Sequence, residues 1–200
     1  EAIDAFAPFA SQESWDNSGL LVGGMAQPAD RILTTLDISE AIVAQAVAEQ
    51  VQLVVAHHPV IFSPLKTLPP DSPVYQLAAH GIAAICVHTP LDMAPLGLNT
   101  FAHTLLEKPL ALQGTQEVLE PSWTDGRGFG WIDTSARTWT PQTLAQTLQT
   151  AFGEVRYSAA ERSIRKIAYC SGSAASMLEL AAAKGCDALI TGDIKHDRWY

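Results

Sequence analysis

The stretch Arg31–Pro59, RILTTLDISEAIVAQAVAEQVQLVVAHHP, decides the fold class. Ile32 to Leu36 is strand-like, and Ser39 then offers a hydroxyl to cap a helix whose first turn holds Glu40. Ile42, Val43, Ala46 and Val47 recur at helical spacing. Leu53 to Ala56 is a short uninterrupted apolar run, the pattern of a strand covered on both faces. Strand, helix and strand in so short a span predict a right-handed parallel crossover. The run closes on His57-His58-Pro59, and the proline imposes extended geometry on His58, as suits a chain leaving its sheet.

Working outward, a Pro-rich loop runs from Pro64 to Pro73. A helix follows with Ser72 as its cap, Pro73 in its first turn and Gly81 beyond its end. Ile82 to Val87 is the next strand, inside a second apolar run, IAAICVHTPLD, that ends in His88 and Asp92. Gly97 to Leu106 reads as a helix. From 107 to 139 the pattern weakens: the turn signals Asp125-Gly126, Gly128 and Gly130 sit beside Trp123, Phe129 and Trp131. We expect a connection there, holding a strand or hairpin and marking the domain boundary. Thr140-Pro141 caps a helix through Phe152. Residues 163–193 (SIRKIAYCSGSAASMLELAAAKGCDALITGD) then repeat the order of strand, small-residue turn, helix, glycine and strand. The expected fold is α/β, with two related α/β lobes built on mixed or parallel sheets. The N-terminal lobe covers 1–106, the connection 107–139 and the second lobe 140–200.

Two hundred residues, 48% of them hydrophobic, suffice for a full core. Twelve basic against 21 acidic residues leave a net charge of −9, without the clustered Lys and Arg that displace counterions from a duplex. No nucleic-acid polymer is therefore expected as a partner, while a single nucleotide stays open. Cys86, Cys170 and Cys186 show no CxxC spacing; the first two read as small core residues, and the odd count points to a reducing compartment. No apolar span of membrane length and no secretory signal are visible, so the expected location is cytoplasmic and no membrane is involved. Glu1 opens inside a helix-like pattern, EAIDAFAPFA, and Tyr200 follows a strand-like run, so a piece of a longer chain is expected.

Two strand-like runs that end in histidine or carboxylate place candidate ligands beyond the carboxyl ends of a sheet, where open α/β folds bind their ligands. Imidazole plus carboxylate suits a divalent transition metal, and Zn, Fe, Mn, Co and Ni all remain open. Neighbouring side chains on a regular strand point to opposite faces, so His57 and His58 fit two metals with a bridging carboxylate unless the chain turns there. Asp92 is the natural bridge. The alternative is that one histidine caps the strand and the other is merely a satisfied polar group. His88 is either a further ligand or, as we favour, an orienting group acting through its other ring nitrogen. His80 and His103 fall within helix patterns and are expected to face solvent. Candidate pocket residues are Asp16 and Asn17, in a turn entering a strand, and the Ser171-Gly172-Ser173 turn, whose N–H groups suit a phosphate or carboxylate or simply make a tight turn. Asp193 and His196, after the last strand, complete that set. No GxSxG elbow or recognisable cysteine nucleophile exists, so no covalent catalytic residue is assigned.

Five segments carry a resemblance: SWDNSGLLVG (14–23), LVVAHHPVIFSPLKTL (53–68), CVHTPLDMAPLGLN (86–99), YCSGSA (169–174) and ITGDIKH (190–196). In this order they resemble the type-2 GTP cyclohydrolase I homologues, also called NGG-interacting-factor-three-like dinuclear metal proteins. The resemblance implies two related α/β lobes, a hexameric ring with inward-facing metal sites, and a centre of two divalent ions. Its ligands would be His57, His58 and Asp92. The family completes that centre with a C-terminal His and Glu in a GHxxTE-like segment, which this sequence does not contain. It also reads GDIKYH where His196 here follows Lys195 directly. The expected function is metal-dependent hydrolysis of a small molecule, plausibly a purine nucleotide. The alternative is a non-catalytic metal-binding ring that mediates protein interaction, regulation or metal storage.

Overall fold

A computed structural model describes residues 1–123, 125–158 and 161–195. The chain parts into two compact units, Glu1–Leu91 and a second from Asp92 onward. In the first, α1 (Ala2–Phe6) leads to β1 (Gly19–Val22), β2 (Ile32–Thr35), α2 (Glu40–Ala48), β3 (Leu53–Ala56), α3 (Pro73–Ala79) and β4 (Ala83–Cys86). The four strands form one sheet in the order β1-β4-β3-β2. β2, β3 and β4 run parallel, and β1 lies antiparallel to β4 with Gly19 opposite Cys86. Both crossover helices start where a side chain satisfies an otherwise orphan N–H: Ser39 Oγ accepts from Ile42, and Ser72 Oγ accepts from Tyr75 ahead of Pro73. Val43 and Ala46 of α2 and Leu77 of α3 then bury against Val54 and Ala84 of the sheet. Val47, on the same helical stripe, stays partly exposed and lines a cleft of about 350 Å³ with Gln76 of α3 and His80 just past its end.

α4 (Thr89–Met93) runs across the division. The second unit continues with α5 (Leu98–Glu107), β5 (Glu117–Pro121), β6 (Gly128–Trp139), α6 (Pro141–Phe152), β7 (Ile164–Cys170), α7 (Leu178–Ala183) and β8 (Ala188–Thr191). Its sheet has the order β5-β6-β7-β8; only the β7–β8 pair is parallel, as the crossover through α7 requires. Side chains alternate across it: Trp131 and Ile167 enter one core with Leu106, Leu144 and Leu148, while Ile132 and Ala168 enter the other with Ala181. The sheet is thus covered on both faces. Residues 107–139, expected as a connection with a strand or hairpin, hold the hairpin β5–β6, and the twelve-residue β6 is the longest strand of this sheet. The chain divides at Leu91/Asp92 instead. Polar residues inside β6 hide it: Asp133 and Ser135 are buried, and Ser135 donates to the Leu110 carbonyl while accepting from Trp139 Nε1. Among the described residues no helix is long and apolar enough to cross a membrane.

Candidate metal centre

In the first unit the carboxyl ends of β2, β3 and β4 lie side by side, and each is followed by an ionisable residue. Asp37 follows β2, His57 and His58 follow β3, and His88 follows β4. Because β1 is antiparallel, the turn that precedes it brings Asp16 to the same end. β3 stops at Ala56 and the chain bends at His57–His58, which frees both rings from strict alternation. The two ring centroids lie 5.1 Å apart, and the His88 ring lies 5.1 Å from His57 and 5.7 Å from His58. One ligand nitrogen from each of His57, His58 and His88 falls within 4.8 Å of the others.

The partners of these rings fix their tautomers. His57 Nδ1 lies 3.0 Å from the Val87 carbonyl, His58 Nδ1 2.7 Å from Asp37 Oδ1, and His88 Nδ1 2.8 Å from Asp16 Oδ1. A carbonyl or carboxylate oxygen only accepts, so Nδ1 is the protonated nitrogen in all three rings. In the neutral form of such a ring, Nε2 is the nitrogen that carries the lone pair. Metal-binding histidines are held in this way, with the far nitrogen donating to an oxygen and the near one turned to the cation. The donor set therefore fits a divalent transition metal.

The His88 anchor is buried: its side chain is 18% exposed and that of Asp16 0%. Asp16 Oδ1 also accepts from the Asn17 N–H, while Oδ2 accepts from Ser18 Oγ and from the N–H and Oγ1 of Thr89. Burial opposes the charge of this carboxylate. The hydrogen bonds from His88, Thr89, Asn17 and Ser18 outweigh it and hold the group ionised well below the usual range. Ser18 Oγ in turn accepts from the His88 N–H at 3.0 Å, so one turn of chain fixes both ends of the residue. Beneath the cluster the Cys86 thiol donates to the His57 carbonyl, and burial pushes its pKa up to about 12, which makes it inert as a nucleophile.

A family profile described as Duf34/NIF3 (NGG1p interacting factor 3) matches residues 1–200. The chain belongs to this family. Its Duf34/NIF3 relatives include a protein of Streptococcus pneumoniae named "GTP cyclohydrolase 1 type 2 homolog", 33% identical over 97% of this chain and 75% of that one. A Helicobacter pylori protein named "GTP cyclohydrolase 1 type 2" is likewise 33% identical, over 97% and 74%. The fold matches a Bacillus cereus crystal structure titled as related to NIF3, with a TM-score of 0.86 at 18% identity over 98% of this chain and 81% of that one. A Staphylococcus aureus hypothetical protein matches with a TM-score of 0.84 at 24% identity, over 98% and 78%. These likenesses establish a mixed α/β Duf34/NIF3 fold with two four-stranded mixed sheets.

The structure distributes the remaining sequence candidates as follows. Asn17 faces the Ile61 carbonyl, to which its Nδ2 donates at 2.5 Å. In the second unit Asp92 Oδ1 accepts from Ser171 Oγ at 2.7 Å and lines a cleft of about 230 Å³ with Asn99, Gln116 and Arg127. The Ser171 N–H donates to Asn99, and the Gly172 carbonyl accepts from Thr191 Oγ1 and the Asp193 N–H, so this turn is stitched to the end of β8. Ser173 completes it; Asp193 is exposed, and His196 lies outside the described residues. His80 is exposed as expected. His103 is not: it is buried, with Nε2 2.9 Å from Asp133 Oδ2 and its ring edge-on to Trp131 at 4.8 Å. The residue missed in the sequence is Asp37. Its position just past an apolar strand, matching that of His57 on the neighbouring strand, was the available signal.

Proposed function

We propose that this chain is a metal-dependent hydrolase acting on a small molecule. The observation that carries the reading is the set of three imidazoles, each anchored through Nδ1 by an oxygen acceptor. In this reading His57, His58 and His88 hold a divalent cation, and the family resemblance would add Asp92 as the carboxylate of a two-ion centre. Once bound, the cation supplies Lewis acidity and lowers the pKa of water near an electrophile. The protein's own part is positional: Asp16, Asp37 and the Val87 carbonyl keep each ring in the coordinating tautomer. A coordination position left open to water would mark a catalytic centre, and a ligand set closed by the protein would mark a storage site. The names of the S. pneumoniae and H. pylori relatives support a purine nucleotide, GTP first, as the substrate. The proposal extends to assembly as a hexameric ring.

The test combines elemental analysis, light scattering and assays for formate and phosphate released from GTP and related nucleotides. We expect bound metal in the wild type, and His57→Ala to abolish turnover without changing the oligomer. Metal content unchanged in His57→Ala/His88→Ala would refute the centre, and full metal with no turnover on any nucleotide would favour the non-catalytic alternative.

A further inference from the structure

Two large aromatic side chains stand open to solvent beside the imidazoles. Trp15 is 56% exposed and Phe62 52%. Their rings lie 6.2 Å apart, and both approach His88, Trp15 at 5.9 Å and Phe62 at 6.5 Å between centroids. They are held there. Trp15 directly precedes Asp16, whose carboxylate is bonded to His88 and Thr89; Phe62 directly follows Ile61, whose carbonyl accepts from Asn17. The two loops are thereby tied to each other and to the cluster. Fixing aromatic surface in water forgoes the stabilisation that burial in the core would give, about 25 cal/mol for each Å². Preplaced apolar walls beside a few convergent polar atoms are the composition of a small-molecule site. An aliphatic ligand gains only contact area from such walls, whereas a flat unsaturated ring also gains from stacked or edge-on geometry.

We propose that Trp15 and Phe62 form an aromatic subsite that seats a planar unsaturated ring of the substrate against the imidazole cluster. The subsite rests on the function proposed above for the identity of what lies beside the ring. Asn17 is a positioning residue in it, acting through the Ile61 carbonyl.

Guanosine 5′-monophosphate and ribose 5-phosphate share sugar and phosphate and differ by the ring. Each is titrated calorimetrically into metal-loaded and chelator-treated protein. The nucleotide should bind the wild type roughly tenfold or more tighter than the sugar phosphate. Trp15→Ala and Phe62→Ala should each erase much of that difference, leaving ribose 5-phosphate affinity, metal content and oligomer mass unchanged, and Trp15→Phe should retain most of it. Equal or undetectable binding of both probes by the wild type overturns the subsite, as does an equal loss for both probes in Trp15→Ala. Loss of metal or a changed oligomer mass in Trp15→Ala also overturns it, because the rings would then serve packing or assembly. A ring preference intact in wild-type protein that takes up no metal would remove the hydrolase reading and leave the subsite standing.

Discussion

Each unit contains a histidine paired with a buried aspartate, and the two pairs do different work. His88 uses Nδ1 to reach Asp16, is 18% exposed, and has its ring 5.1 and 5.7 Å from two further imidazoles. His103 uses Nε2 to reach Asp133, is 9% exposed, and meets Trp131 on its flank. Both carboxylates are saturated: Asp133 also accepts from the Gly114 and Thr115 N–H groups and from Thr115 Oγ1. The chemistry of the pair is therefore the same, and its surroundings decide the role. An imidazole clustered with two others is placed to serve as a ligand, whereas one packed against indole serves as a strut.

The largest expected effect is on the strut. Asp133→Ala leaves a buried imidazole and several N–H groups without an acceptor, and should destabilise the second unit by about 3–5 kcal/mol in urea titrations while metal content is unchanged. Metal loss in this variant would break the comparison. Burial opposes the charge on Asp133, but hydrogen bonds from His103, Thr115 and Thr134 outweigh it and lower its pKa. For a depressed carboxylate, the stabilisation is complete above the unfolded value of roughly 4 and fades as pH falls through the folded one. The stability gap between wild type and Asp133→Asn should therefore narrow below about pH 4. Asp16→Asn sharpens the other half: an amide can present its NH₂ to His88 and unsettle the tautomer, so metal affinity should fall roughly 10–100-fold by competitive chelator titration. The smallest effect belongs to Asp37→Ala. The His58–Asp37 pair is exposed, at 45% and 65%, and its removal should change stability by about 0–1 kcal/mol.

The β2-α2-β3 crossover was legible because its signals are local: Ser39 caps, the apolar stripe recurs, and Leu53 to Ala56 has no polar interruption. A strand or hairpin was expected near β6, but its full twelve residues were not legible, since its interior polar residues are satisfied by partners far along the chain, which no window around Gly128–Trp139 contains. Gly130 reads as a turn signal, yet it sits inside the strand at φ +67°, where a Cβ would collide with the Tyr169 carbonyl. The same reasoning separates the histidines. His57 and His58 announce themselves as a doublet at the end of an apolar run, whereas His103 takes its meaning from Asp133, thirty residues on.

The imidazoles follow β3 and β4, and their anchors come from beside β1, β2 and β4, so the cluster needs the whole four-stranded sheet. A nascent polypeptide that has emerged only as far as the HHP motif offers two imidazoles without the third, and Asp37 without a sheet to hold it. Cation capture at the proposed centre would thus wait for β4 to dock, and an ion would favour finished pairings over partial ones. If an ion binds the native sheet and not the unfolded chain, free metal at a hundred times the dissociation constant would add about 2.7 kcal/mol to the folded state. Scarcity of the ion would then shorten the lifetime of the first unit before altering how it is made.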